Sequence, residues 1–183
     1  VADAHVLLPF ERTAGDEIQG LVGTVEGVVG VVRHLVRLRN WRIGVGLGAV
    51  DQPLTDSTRA ARGTAYLAAR AAVEQARGVS VGIALRDGRE EAEVSASARR
   101  AVWLAESGLL LWAAVLTRRT AEGWEMADLL DSGLSNNAAA AALRITPSAA
   151  SQRAGRAAYA EADRGAWLVA ALLEQAAVEG TRR

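Results

Sequence analysis

The sequence predicts an α+β protein on two observations. Up to about residue 89, short strand-like runs alternate with helical ones, and from residue 90 every apolar pattern is helical. Half of the 183 residues are hydrophobic, enough to bury a sizeable core in one large domain or two small ones. The expected division is an α/β unit over 1–89 and a helical unit over 90–183.

Each element has its own signal. Residues 6–13, VLLPFERT, form a mixed apolar and polar run that leads into the turn residues AGDE, and IQGLV at 18–22 is placed to pair back as a hairpin. Thr24 is a helix N-cap candidate, followed by apolar residues at Val25, Val28, Val29, Val32, Leu35 and Val36, a helical spacing over 24–40. WRIGVGLGAV at 41–50 sets larger residues between Gly44, Gly46 and Gly48. It reads as a buried strand whose glycines admit a second backbone or a ligand. A loop follows at 51–63, then a helix over 64–78 that Gly78 ends, then a strand over 79–87 closed by Asp87-Gly88. The order β-β-α-β-α-β, preceded by one further βα pair, is that of a ferredoxin-like sandwich, an antiparallel sheet with helices on one face. The sequence opens where such a unit is already under way.

The second half reads as one long helix over 90–120, a short helix ended by Gly133, and a helix capped by Ser135. A last helix opens at Thr146-Pro147 and runs toward Ala177, with Gly165 as its bend point.

Charge and composition narrow the function classes. The 21 acidic residues balance 21 basic ones, all of them arginine, so no global field draws the chain to nucleic acid and any DNA-binding surface must be local. The absence of cysteine removes disulfides and thiolate metal sites. No signal-peptide pattern is evident and no apolar run is read as membrane-spanning, so the expected location is the cytoplasm, with no membrane partner.

Residues 136–158, NNAAAAALRITPSAASQRAGRAA, fit a helix-turn-helix. Ala140 is small enough for a close helix crossing. Leu143, Ile145 and Ala150 are placed to lock the corner. Thr146, Ser148, Ser151, Gln152, Arg153 and Arg156 supply donors and acceptors at the start of the second helix, for phosphates and base edges. Arg144 stands where such turns often carry glycine. The same stretch also fits a packed α-hairpin corner, and over 124–183 six arginines face seven acids, so the positive patch is small. A dimer would present two such helices to two half-sites. The partners expected are therefore DNA and a second copy of the chain.

TAGDEIQG at 13–20 places a carboxylate, Asp16, at a sheet-edge turn, where it can hold Mg²⁺ beside phosphates; it is also an ordinary hairpin sequence. That run, WRIGVGLGAV and GTAYLAARAAVEQAR, in this order, resemble the SatD family of bacterial proteins over residues 6 to about 78. The shared features are a Gly-Asp-Glu-aromatic-Gln-Gly turn, a glycine-rich strand and an Ala-aromatic-x-x-Ala-Arg helix. Ile18 stands for the usual aromatic and Thr64 for the usual proline. Such domains look like remote relatives of class III nucleotidyl cyclases and of GGDEF-like diguanylate cyclases. The resemblance implies a degenerate cyclase fold. Asp16 matches the second metal aspartate, Arg70 matches the cyclase arginine, and Tyr66 stands where a cyclase has the asparagine that stabilises developing phosphate charge. Turnover is therefore not expected, and binding of a small phosphate-bearing ligand, with or without Mg²⁺ at Asp16, is. The ligand site expected is Gly15, Asp16, Glu17, Gln19, Gly44, Gly46, Tyr66 and Arg70. The alternative is a Mg²⁺-dependent nucleotide enzyme with a helical dimerisation module.

Other groups carry less. His5 and His34 have no partner at metal spacing, and the basic run Arg33, Arg37, Arg39 reads as a solvated helix face. Trp103, Trp112, Trp124 and Trp167 read as core or dimer-interface anchors.

Overall fold

Two residues, Gly15 and Asp16, reverse the chain between β1 (Val6–Ala14) and β2 (Glu17–Val22). Gly15 has φ +56°, which glycine adopts without steric cost at the first position of a two-residue hairpin loop. The expected hairpin is therefore formed, in antiparallel register from Val6↔Val22 to Ala14↔Glu17. The computed structural model describes residues 5–90 and 94–179.

Thr24 then caps α1 (Val25–Leu38), its Oγ1 accepting from the Gly27 amide at 3.1 Å. The chain continues through β3 (Ile43–Leu47), α2 (Thr64–Ala76) and β4 (Ile83–Asp87). β3 and β4 pair in parallel, from Ile43↔Ile83 to Leu47↔Asp87. Among the described residues the strands thus form two separate two-stranded ladders, one antiparallel and one parallel, in place of the single antiparallel sheet expected. The connection explains the parallel pair: β3-α2-β4 is a crossover unit, which buries both faces of its strands. Ile43, Ile83 and Leu85 face a core shared with α1, while Ala84 faces Ala72 and Ala76 of α2 on the other side. Helices therefore cover both faces of this ladder, not one.

The helical half contains α3 (Ala96–Thr117), α4 (Ala121–Asp131), α5 (Asn136–Ala142), α6 (Pro147–Arg156) and α7 (Tyr159–Glu179). The helix expected from residue 90 starts later, because Ser95 caps it by accepting from the Ala98 amide. Residues 91–93 lie outside the described residues. α3 and α7 pack against each other, with Trp112 donating from Nε1 to the Ala162 carbonyl at 2.8 Å. By length and composition α3 could cross a membrane, against the sequence expectation; here its Ala101, Ala105, Leu109, Trp112 and Leu116 belong to the main core. That core also holds Val32 and Val36 of α1, Ile83 and Leu85 of β4, and Val169 and Leu173 of α7, so it continues across residues 89–90. A second, smaller core joins α4, α5 and α6 through Met126, Ala139, Ala140 and Ala150.

The last helix does not run unbroken from Pro147. It stops at Arg156, Ala158 takes φ +47°, and α7 begins at Tyr159. α7 runs through Gly165 without a break. Gly165 gives Trp112 room, for a Cβ there would lie 2.6 Å from the indole Cδ1.

Candidate functional site

Two regions collect the residues singled out by sequence. The first is the corner of α5 and α6. Ser135 caps α5 and Thr146 caps α6, accepting from the Ala138 and Ala149 amides, and Pro147 opens α6 where its missing N–H costs nothing. Between the helices Arg144 adopts φ +55°, the left-handed conformation that glycine usually supplies. Ala139, Ala140 and Ala150 meet at the crossing, nearly all solvent excluded, with Leu143 and Ile145 packed beside them. Asn136 spans the corner, donating from Nδ2 to the Pro147 carbonyl and to Ser151 Oγ, both at 3.1 Å.

This geometry sorts the candidate contacts. Thr146, Ser148, Ser151, Gln152 and Arg156 are exposed on α6. Arg153 is half-buried and turns back to Glu125 of α4 at 3.4 Å, so its charge is partly neutralised. No acidic residue lies between Ser135 and Arg156, which leaves the exposed face of the corner neutral to positive.

Behind it, α4 is held to the α/β part. Arg33 and Arg37 of α1 form ion pairs with Asp131 and Asp128 of α4, and their guanidinium groups lie 5.6 and 5.2 Å from the Trp124 ring centroid. Tyr159 donates to Asp131 at 3.1 Å. Arg39 donates to the carbonyls of Thr117 and Arg119. The basic run thus fastens α1 to α4 while Arg37 and Arg39 remain exposed to solvent. No local pattern shows this, since the partners lie 78 to 98 residues away.

The second region is a cleft of about 650 Å³ between β2 and β3, with α1 and α2 as its walls. Asp16, Glu17, Gly44, Gly46 and Tyr66 line it. Gln19 donates to Glu17 at 2.7 Å, and Arg70 reaches the same carboxylate at 3.6 Å. Glu17, Gln19 and Arg70 are therefore brought together, while Gly15 and Asp16 sit exposed at the turn. Burial pushes the Tyr66 hydroxyl's pKa up, and it has no hydrogen-bond partner among the described residues. The close backbone at the glycine strand is that of α2: a Cβ on Gly44 would meet the Ala69 carbonyl at 2.3 Å, and one on Gly46 the Ala65 carbonyl at 2.2 Å.

As a Mg²⁺ site the donor set is thin. Asp16 offers one carboxylate, the neighbouring Glu17 is engaged by Gln19 and Arg70, and among the described residues no group of three His, Asp or Glu side chains converges. The residues present do not by themselves fit a metal.

Two unforeseen features shape these regions. Arg119, buried, caps the end of α6 by donating from Nε to the Ala157 carbonyl at 2.7 Å. The loop after β3 clasps β1, with Thr58 donating to the Pro9 carbonyl, Ser57 to Glu11, and Arg59 to the Arg12 carbonyl. Both are long-range, and neither has a local signature in sequence.

By fold and site this is an α+β protein with α4, α5 and α6 packed round a small core and an open cleft in its α/β part. No protein-family model, no curated protein and no solved structure matches the chain.

Proposed function

We propose that the chain is a cytoplasmic, DNA-binding transcriptional regulator whose α6 is the recognition helix. One observation carries the reading. The first turns of α6 bury only Ala150 and expose Thr146, Ser148, Ser151 and Gln152, with Arg156 one turn further on, at a corner whose turn residue takes the left-handed conformation. A helix serving only as a packed corner has no need of a free N-terminus lined with hydroxyls and an amide. That end offers the Ser148 amide and a positive dipole to a phosphate, and Gln152 and Arg156 suit base edges.

The regulator acts as a homodimer in this reading. Trp103 on α3 and Trp167 and Leu168 on α7 are 64%, 74% and 58% exposed, large apolar groups that a second copy would cover. The α/β part, a SatD-like unit in this reading, is the sensor. Glu17 and Tyr66 in the cleft, with Gln19 and Arg70 against Glu17, are its contacts for a small phosphate-bearing ligand.

The test is fluorescence anisotropy with duplexes selected from a randomised library, at about 50 and 200 mM salt. Gln152→Ala and Arg156→Ala are expected to weaken specific binding by about five- to a hundredfold each. Arg153→Ala, whose charge is shared with Glu125, is expected to cost less. An absence of selected sequences, or equal binding by the Arg156→Ala variant, would sink the assignment of the recognition helix.

A further inference from the structure

Asn136, the first residue of α5, reaches across the corner to α6. Its amide nitrogen donates twice, to the Pro147 carbonyl and to Ser151 Oγ, both at 3.1 Å. A carbonyl only accepts, so Nδ2 and not Oδ1 faces Pro147, and the orientation of the amide is fixed. Both hydrogens of Nδ2 are thereby committed.

Two polar groups are left over. Asn136 Oδ1 bonds to nothing among the described residues, and it is not sealed from solvent. Ser151 is exposed, and its Oγ accepts from Asn136, which leaves its own hydrogen to be donated elsewhere. Ser107 on α3 shows the usual alternative, a hydroxyl turned back to the carbonyl of Trp103 one turn earlier. Ser151 makes no such bond, for the corresponding Pro147 carbonyl takes the Asn136 amide instead. Oδ1 shares its carbon with the nitrogen that holds Ser151, so an acceptor and a donor stand side by side for as long as the clamp is made.

We propose that Asn136 is a specificity-determining residue of the DNA-binding corner, and that together with Ser151 it reads adenine. The inference rests on the reading of α6 as the recognition helix and deepens it, adding a residue of α5 and naming a base. The major-groove edge of adenine offers N7 as an acceptor and the N6 amino group as a donor. The Ser151 hydroxyl donates to N7, and Asn136 Oδ1 accepts from the amino group. Guanine presents acceptors at both places and sets its O6 against Oδ1. Cytosine supplies a donor alone, and thymine an acceptor beside a methyl group, so each leaves one member of the pair unmatched. Groups left unmatched in a dehydrated interface discriminate as strongly as the bonds made to the right base. A phosphate is the wrong occupant, because its anionic oxygens would face Oδ1.

Fluorescence anisotropy with the 183-residue chain tests this, on duplexes selected from a randomised library. Selection with the wild-type protein is expected to return an adenine that Asn136→Ala and Ser151→Ala no longer require, at the same position for both. Two base analogues then take that adenine apart. 7-Deazaadenine lacks the N7 acceptor and unsubstituted purine lacks the amino group, and each is expected to weaken wild-type binding by about three- to tenfold. Ser151→Ala is expected to be indifferent to the loss of N7, and Asn136→Ala to the loss of the amino group. A residue that only held the corner together would weaken every duplex alike and show no such pairing of residue with atom. A thermal melt reports whether Asn136→Ala loosens the corner; in that case Ser151→Ala locates the adenine and the two analogues on the wild-type protein decide. Analogues that bind as tightly as adenine, or variants that lose their preference at different positions, overturn the proposal and leave α6 as the recognition helix. The selection of no sequence at all overturns the recognition helix, and this proposal with it.

Discussion

Arg119 Nε donates to the carbonyl of Ala157 at 2.7 Å, across 38 residues, and its guanidinium lies 4.8 Å from the Trp124 ring centroid. Its Nη2 reaches the Ala158 carbonyl at 3.4 Å. The side chain thus satisfies the Ala157 carbonyl at the end of α6 and shares the Ala158 carbonyl with the Ala162 amide, with a cation where the helix dipole favours one. Arg119 is 3% exposed, so removing it strands the Ala157 carbonyl. Arg119→Met is expected to cost about 2–4 kcal/mol in urea unfolding, and Arg119→Lys to recover only part of it, because a lysine cannot present a planar fork. A loss below about 1 kcal/mol would show that water replaces the cap.

Glycines separate by what surrounds them. Gly165→Ala would drive a Cβ to within 2.6 Å of Trp112 and is expected to destabilise by about 1–3 kcal/mol. Gly30, inside α1, has nothing within 4 Å of its Cβ position, and Gly30→Ala is expected to stabilise by about 0.5–1 kcal/mol. Thermal melts of the two variants should move in opposite directions.

Arg144 holds φ +55° with a side chain that disfavours it. Arg144→Gly is expected to raise stability by about 0.5–1 kcal/mol through relief of that strain, net of the freedom glycine adds to the unfolded chain. A destabilised variant would mean that the guanidinium makes a compensating contact.

Acid should loosen the clasp on β1. Ser57 Oγ at 2.7 Å and the Arg59 amide at 3.2 Å both donate to Glu11 Oε2, and these bonds hold the carboxyl's pKa below its ordinary value of 4.5. A lowered folded-state pKa means that the contribution is complete above 4.5 and disappears as pH falls through the folded value. Proteolysis within residues 51–63 is therefore expected to accelerate below that pH. Glu11→Gln should be accelerated already at neutral pH and respond less to acid.

What the sequence determined by itself was local. Thr24, Ser135 and Thr146 each cap a helix, and each does so through a hydrogen bond to an amide three residues on. Such bonds close within one turn, so the residues that make them stand together in the sequence. The hairpin at Gly15-Asp16 and the Leu143–Thr146 corner were legible for the same reason, as was the need of Gly44 and Gly46 for a close neighbour. Only the tertiary structure decided which neighbour. It set α2 on those glycines, paired β3 with β4 in parallel, and brought residues of β2 and β3 into the lining of one cleft. It also broke the last helix at Ala158 and paired Arg33 and Arg37, at the surface, with α4. Helical and strand periodicity tells which face of an element is buried but not what buries it. Partners 38 to 98 residues apart leave no mark in any short window, so they are fixed only when the whole core closes.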